Sequence, residues 1–143
     1  MRSFADFDIA ELLPHTGKMV LLDKILSFDG HNLSAELRVR GDGLPLADQL
    51  NVPAWAGIEY MAQAIGAYAG IQAKQAGKPI RLGFLLGTRR YHSNVAGFAI
   101  GTRLTVTINK IMQDEQLGVF DCRIQGENID IAANLNVYQP PSP

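Results

Sequence analysis

A glutamate and a glutamine lie four residues apart in the longest apolar segment of this sequence, which runs from Pro53 to Lys74. Glu59 is the only carboxylate of that segment, and a helix would place Gln63 beside it on the same face. Apolar surroundings raise the pKa of a carboxyl group toward working pH, which suits a general acid or base. The structural alternative is an ion pair with an arginine of a sheet, or contact with the positive end of the helix dipole, worth about 0.3–1 kcal/mol. The residues alone leave both readings open.

Histidine titrates near neutral pH, so the three histidines are further candidates for proton transfer. His15 precedes the first strong apolar run, where it is either a capping or core-edge residue or a base. His31 lies in the turn after Asp29-Gly30, and His92 follows a strand; both are predicted at the surface. Three scattered histidines do not form a metal triad, so no metal site is predicted.

Two adjacent arginines and a single cysteine complete the reactive residues. Successive side chains of a strand point to opposite faces, so one of Arg89 and Arg90 can meet Glu59 inside the protein while the other faces solvent or a phosphate. Cys122 alternates with polar residues in a later strand and is predicted to be core rather than a nucleophile. One cysteine excludes an internal disulfide bond.

These residues must be positioned by one helix and several strands. Alanines favour a helix from Pro53 to Lys74, with Asn51 as the cap and Gly77 and Pro79 ending it. The segment is apolar almost all the way round, which is typical of a buried helix. The predicted strands are Met19 to Phe28, Asn32 to Arg40, Leu82 to Tyr91, Arg103 to Met112, Gln116 to Ile124 and Ile129 to Tyr138.

One long helix and about six mainly antiparallel strands predict an α+β fold. Residues 1–138 are predicted to form a single domain, followed by a disordered proline-rich tail over 139–143. Hairpin turns are predicted at Asp114-Glu115 and at Gly126 to Asn128.

Composition and charge exclude several classes of partner. A formal net charge of −1 gives no electrostatic case for a nucleic acid or an anionic membrane surface. A membrane span is excluded by Glu59, Gln63 and Gln72 and by the absence of a second hydrophobic segment. No export signal precedes the first apolar run, so the cytoplasm is expected.

Three segments resemble the β-hydroxyacyl-(acyl carrier protein) dehydratases. In Pro53 to Gln63 a proline stands six residues before the glutamate of a Glu-x-Met-Ala-Gln run. Leu13 to Asp23 places a Pro-His pair before an apolar strand, and Gly101 to Val106 resembles the start of a later strand. The likeness covers residues 12–133 in order.

A more detailed resemblance is to the divergent branch of this family that is encoded with aryl-polyene biosynthesis genes. The shared motifs are a Pro-His-x-Gly-x-Met start at Pro14 to Met19, the helix motif at Gly57 to Gln63, and the strand Leu82 to Tyr91.

This resemblance implies a hot-dog fold, in which an antiparallel sheet wraps one long helix, and substrates that are 3-hydroxyacyl thioesters. It implies Glu59 as the acid beside the 3-hydroxyl group, with Gln63 orienting it. Substrate contacts are implied for Ala54, Trp55, Gly57, Arg89 and Arg90. The implied partners are an acyl carrier protein, whose phosphopantetheine arm carries the substrate with no other cofactor, and a second subunit in a homodimer or heterodimer.

The sequence departs from the main family at one decisive position. Those dehydratases carry a Gly-His-Phe-Pro-Gly loop whose histidine is the catalytic base, whereas Leu44 to Pro53 contains no histidine. The family glycine after the proline is replaced by Ala54, whose backbone N–H is expected to remain available.

The missing histidine leaves three hypotheses. His15 has become the base of an active homodimer, or a sister subunit supplies the base in a heterodimer, or the chain is a stabilising or acyl-binding subunit with a vestigial Glu59. A hot-dog thioesterase, which uses a carboxylate and a water molecule, is a further enzymatic alternative.

Overall fold

A computed structural model describes residues 7–15, 17–41, 51–80, 83–114 and 116–140. The predictions that concern Leu44 to Leu50, Leu82, Glu115 and residues 141–143 lie outside these ranges. The described elements are α1 (Ile9–Leu12), β1 (Lys24–Phe28), β2 (Asn32–Arg38), β3 (Asn51–Pro53), α2 (Gly57–Gln75), β4 (Phe84–Ser93), β5 (Gly97–Ala99), β6 (Arg103–Asp114), β7 (Leu117–Gly126) and β8 (Ile129–Tyr138).

The principal sheet has six strands in the order β1-β2-β6-β7-β8-β4, and every neighbouring pair is antiparallel. β3 and β5 form a separate antiparallel pair. The predicted α+β class is therefore confirmed, and β6 to β8 form the predicted meander. No described helix has the length and apolarity that crossing a membrane requires.

The long helix begins slightly later than predicted. A 3₁₀ turn over Ala54–Ala56 leads into α2, and Asn51 lies in the short strand β3. The prediction that Asn51 caps the helix is therefore wrong, because its backbone pairs with Ala99 of β5.

The end of α2 agrees with the prediction. Gly77 adopts a φ of +70°, a left-handed conformation that glycine tolerates without strain. Its N–H donates to the carbonyl of Lys74 at 3.1 Å, and the N–H of Lys78 donates to that of Ala73 at 2.8 Å. These two bonds form a Schellman motif that satisfies the last free carbonyl groups.

The core lies between α2 and the concave face of the sheet. Alternate side chains of β2, β6, β7 and β8 point toward the helix, as the period of two requires. They include Leu33, Leu37, Val106, Ile108, Phe120, Cys122, Ile124 and Leu135, all buried. Cys122 is thus a core residue, as predicted, and burial raises the pKa of its thiol to about 12.

The chain does not become disordered directly after β8. The N–H of Gln139 donates to the carbonyl of Gln116 at 2.8 Å, which extends the β7–β8 pairing by one residue. The expected disordered tail therefore does not include Gln139.

Two glycines of α2 meet the short helix α1 and provide a matched test of packing. A Cβ atom at Gly70 would collide with the carbonyl oxygen of Leu12 and lie 3.0 Å from its carbonyl carbon. A Cβ atom at Gly66 would meet only Cδ2 of Leu13, at 3.1 Å, and that side chain can move.

We expect Gly70→Ala to destabilise the protein by about 1–3 kcal/mol, because a backbone obstacle must shift. Gly66→Ala is expected to be neutral, or to stabilise by up to about 1 kcal/mol through the higher helix propensity of alanine. Chemical denaturation of both variants measures the difference. Equal stabilities would contradict the close approach of α1 to Gly70.

Candidate active site

Glu59 lies in the first turn of α2 with its side chain 44% exposed. Its Oε1 atom is 3.7 Å from Nε2 of His15 and accepts a hydrogen bond from Nε2 of Gln63 at 3.2 Å. No arginine of the described residues pairs with Glu59, so the arginine ion pair, one of the readings that the sequence left open, is not found among these residues. The group that lies near the carboxyl group of Glu59 is the imidazole of His15, which can transfer a proton.

Gln63 connects the carboxylate to the segment that precedes β1. The side chain is 1% exposed. Its Nε2 donates to the carbonyl of Met19 at 2.7 Å, and its Oε1 accepts from the N–H of Leu21 at 2.9 Å. Because Gln63 is held at both ends, its remaining N–H is directed at Glu59. The orienting role that the resemblance implies for Gln63 stays a prediction.

His15 reaches Glu59 because α1 packs against α2. Leu12 and Leu13, directly before it, are buried against the helix. The His15 side chain is 27% exposed, while its Nδ1 atom is buried and has no hydrogen-bond partner among the described residues. The imidazole is therefore positioned by packing, and no described acceptor fixes its tautomer.

The backbone N–H groups of Ala54 and Trp55, directly before α2, differ in whether they already have an acceptor. The N–H of Ala54, expected to remain available, donates to the carbonyl of Ala96 at 2.9 Å. The N–H of Trp55 has no acceptor among the described residues, and the indole is 47% exposed. Trp55, rather than Ala54, therefore offers a free backbone donor at the start of this helix.

Tyr91 is a site residue that the sequence reasoning missed. Its hydroxyl group donates to the carbonyl of Ala54, and a Cβ atom at Gly57 would collide with that hydroxyl group and lie 2.9 Å from Cδ1 of Ile124. Burial raises the pKa of Tyr91 to about 12, so it remains a neutral donor at working pH. Gly57 and Tyr91 together hold the turn that begins the helix. An isolated tyrosine in a strand carries no sequence signal for this role.

Arg89 and Arg90 do not reach Glu59. Both are exposed, and both contribute atoms to a groove that also includes His92. A bulge in β4 between Arg89 and His92 shifts the register with β8. His31 is exposed in the β1–β2 turn, as predicted.

Comparison with solved structures defines the class of protein. A hypothetical thioesterase with coenzyme A from Streptococcus pneumoniae TIGR4 is similar, with a TM-score of 0.60 at 13% identity over 83% of this chain and 86% of that chain. Cj0977, a sigma28-regulated virulence protein of Campylobacter jejuni, is similar with a TM-score of 0.60 at 15% identity over 94% and 96%. This chain has the hot-dog fold, as its resemblance implied.

The family of this chain is shown by a family model and by a solved structure of higher sequence identity. Residues 7–143 match the family model of ApeP-like proteins, described as ApeP dehydratase. A chain of the dehydratase heterocomplex ApeI:P from Xenorhabdus doucetiae is 31% identical, with a TM-score of 0.85 over 95% of this chain and 93% of that chain. The protein belongs to the ApeP-like dehydratase family, which confirms the resemblance to the aryl-polyene branch. No curated protein matches the sequence significantly.

Proposed function

We propose that this chain is the acid-bearing subunit of a 3-hydroxyacyl-(acyl carrier protein) dehydratase that acts in aryl-polyene biosynthesis in the cytoplasm. The main support for this proposal is the group of Glu59, Gln63 and His15. The Oε1 atom of Glu59 lies 3.2 Å from Nε2 of Gln63 and 3.7 Å from Nε2 of His15. Membership of the ApeP-like dehydratase family supports the reaction type. The substrate is carried on the phosphopantetheine arm of the carrier protein, and no other cofactor takes part.

Dehydration requires a base for the α-proton and an acid for the leaving hydroxyl group. In this proposal Nε2 of His15 accepts the α-proton, the C–H electron pair forms the new C=C bond, and the C–O bond breaks. Glu59 donates its proton to the departing oxygen, which leaves as water. The products are a 2-enoyl thioester, an imidazolium and a carboxylate.

The distance between His15 and Glu59 allows the two residues to return to their starting protonation states after each reaction. The imidazolium of His15 and the carboxylate of Glu59 are then opposite charges whose nearest atoms are 3.7 Å apart. A small side-chain movement brings them to hydrogen-bond distance, and transfer of the proton regenerates neutral His15 and protonated Glu59. Gln63 holds the carboxylate in place through this cycle.

Negative charge develops on the thioester oxygen during removal of the α-proton and needs a hydrogen-bond donor. The N–H of Trp55, which has no acceptor among the described residues, is the donor proposed for this oxygen. Tyr91 supports it indirectly, because its hydrogen bond to the carbonyl of Ala54 fixes the preceding peptide.

The second subunit is proposed to be a sister hot-dog protein that joins at β4. This strand pairs with β8 on one side, and among the described strands its other edge is unpaired. Phe84, Leu85 and Leu86 of this edge strand are all more than 40% exposed. An exposed apolar edge strand is a site for pairing with another chain. The ApeI:P heterocomplex supports a heterodimer.

A second candidate keeps Glu59 as the acid and takes the base from the sister subunit. It is favoured by the Nδ1 atom of His15, which has no partner among the described residues, because a catalytic imidazole commonly has its second nitrogen held by an acceptor.

The deciding experiment measures loss of water from 3-hydroxyacyl carrier proteins by mass spectrometry, with this chain alone and in complex with the sister subunit. We expect His15→Ala to lower the rate in the complex by about 10²–10⁴-fold, which is the usual contribution of a general base. His31→Ala, in the exposed turn, is the matched control and should leave the rate unchanged. Normal turnover by His15→Ala would assign the base to the sister subunit, and the absence of turnover in every combination would contradict the dehydratase proposal.

A further inference from the structure

A short 3₁₀ turn over Gly17–Met19 lies between His15 and the segment that Gln63 binds, and the proposed chemistry does not use it. The turn is closed by a hydrogen bond from the N–H of Val20 to the carbonyl of Gly17 at 3.2 Å. Gly17 has a φ of +57°, a left-handed conformation that residues with a Cβ atom rarely adopt. The shape of this turn therefore depends on a backbone conformation that glycine adopts without strain.

The chain on either side of this turn contacts α2 at two levels. Before the turn, Nε2 of His15 is 3.7 Å from Oε1 of Glu59. After the turn, the carbonyl of Met19 accepts from the side-chain amide of Gln63 at 2.7 Å, and the N–H of Leu21 donates to that amide at 2.9 Å. Gln63 also donates to the same Oε1 atom of Glu59 at 3.2 Å. These contacts form a closed ring that returns through the turn to the histidine.

The spacing of these contacts requires the chain to fold back between them. Glu59 and Gln63 are four residues apart on α2, which is a rise of about 6 Å along the helix axis. His15 and Met19 are also four residues apart, and an extended chain would cover about 13–14 Å over that length. An extended segment bound to Gln63 at Met19 would therefore carry His15 past Glu59. The turn that begins at Gly17 removes the excess length.

Packing among the described residues does not explain the glycine at position 17. A Cβ atom there would meet no described atom within 4 Å. At Gly57 and Gly70, by contrast, a Cβ atom would collide with a neighbouring group. The φ angle, rather than a close contact, is therefore what favours glycine at position 17.

We propose that Gly17 is a positioning residue of the candidate active site. Its left-handed backbone sets the turn that brings the imidazole of His15 and the amide of Gln63 to one oxygen of Glu59. An alanine at position 17 favours a negative φ, which opens the turn and displaces one of these two groups. The inference rests on the proposed function for its consequence, because a displacement of about 1 Å can cost about 10²-fold in rate where groups must be held for proton transfer.

The first test compares two substitutions of Gly17 in the complex with the sister subunit. We expect Gly17→Ala to lower the kcat of dehydration by about tenfold or more and to leave KM nearly unchanged. Gly17→Asn should turn over within about twofold of the wild type, because asparagine adopts the left-handed region more readily than alanine. Rescue by the larger side chain would show that backbone conformation is what matters at this position.

Gly77→Ala is the matched control for a general loss of stability. Gly77 also has a positive φ, of +70°, and a Cβ atom there would likewise meet no described atom within 4 Å. It lies beyond the C-terminal end of α2, whereas Glu59 lies in the first turn of that helix. Gly77→Ala should therefore lower the thermal midpoint about as much as Gly17→Ala and leave kcat unchanged.

The second test reports the geometry without turnover. Nuclear Overhauser contacts between the imidazole of His15 and the γ-methylene group of Glu59 report one arm of the ring. Hydrogen exchange of the Leu21 amide, which is bound to Gln63, reports the other arm. Gly17→Ala should remove the Overhauser contact or accelerate exchange at Leu21 by about fivefold or more beyond the effect of Gly77→Ala, and Gly17→Asn should preserve both.

Three results would overturn the positioning role of Gly17. They are a kcat of Gly17→Ala no lower than that of Gly77→Ala, a Gly17→Asn variant as slow as Gly17→Ala, or an unchanged Overhauser contact and unchanged exchange at Leu21 in Gly17→Ala. The second result would indicate a steric contact with the sister subunit, which asparagine disturbs at least as much as alanine. An inactive wild-type complex would contradict the proposed function, and the magnetic resonance measurements would still support or overturn the role of the turn.

Discussion

Replacing Glu59 with glutamine should lower the dehydration rate of the assembled complex by about 10²–10⁴-fold and leave stability almost unchanged. The substitution preserves the shape and the hydrogen-bonding capacity of the side chain but removes the proton that the leaving hydroxyl group requires. The measurement is the formation of 2-enoyl product at saturating substrate, which reports the chemical step rather than binding.

Stability separates this role from a structural one. Removing one partner of a buried ion pair costs about 3–5 kcal/mol, because the other charge is left unpaired. Glu59 is 44% exposed and its neighbour His15 is 27% exposed, so solvent already screens both groups. Exposed pairs contribute about 0–1 kcal/mol, and Glu59→Gln should stay within that range in chemical denaturation.

The control for this experiment is Glu127→Gln, which neutralises an exposed carboxylate in the turn between β7 and β8. It should leave both rate and stability unchanged. Wild-type turnover by Glu59→Gln would end its assignment as the acid, and a loss of several kcal/mol would return it to a structural role.

Replacing Gln63 with alanine should destabilise the protein by about 2–4 kcal/mol and also lower turnover. The substitution removes a fully buried side chain and leaves the N–H of Leu21 without its acceptor at 2.9 Å. It also removes the donor to the carbonyl of Met19. An unpaired buried polar group costs about 1–3 kcal/mol, and the cavity adds to that cost.

A matched glutamine on the same helix provides the control. Gln72 is exposed and donates to the hydroxyl group of Tyr68 at 3.1 Å, so Gln72→Ala should cost less than about 1 kcal/mol and leave turnover unchanged. Equal effects of the two substitutions on stability would contradict the role of Gln63 in tying α2 to the segment before β1.

The periodic elements could be predicted from sequence because their signals are local. The apolar run before Lys74 and the Gly77-Lys78-Pro79 end specify α2 by propensity and capping. Alternation specifies β2, β6 and β8. The spacing of Glu59 and Gln63 also places them in contact, because residues four apart in a helix share a face.

The candidate site was predicted only in part, because most of its contacts cross between elements. His15 and Glu59 are separated by 44 positions, and packing of α1 against α2 brings them together. Nothing local in the sequence indicates that the N–H of Ala54 would be occupied by Ala96, or that Tyr91 would support the turn before the helix.

Arg89 and Arg90 show where alternation in the sequence fails to predict a contact. Strict alternation predicts that one of Arg89 and Arg90 faces the helix, but neither pairs with Glu59, and the strand contains a bulge and a φ of +54° at Arg90. The sequence by itself determined the long helix, the six strands of the principal sheet and the place of Glu59 and Gln63 on one face of that helix, because propensity and periodicity act over a few residues. Only the tertiary structure decided the short elements α1, β3 and β5, the start of β1 at Lys24 and the contact of Glu59 with His15, because these depend on packing between distant segments.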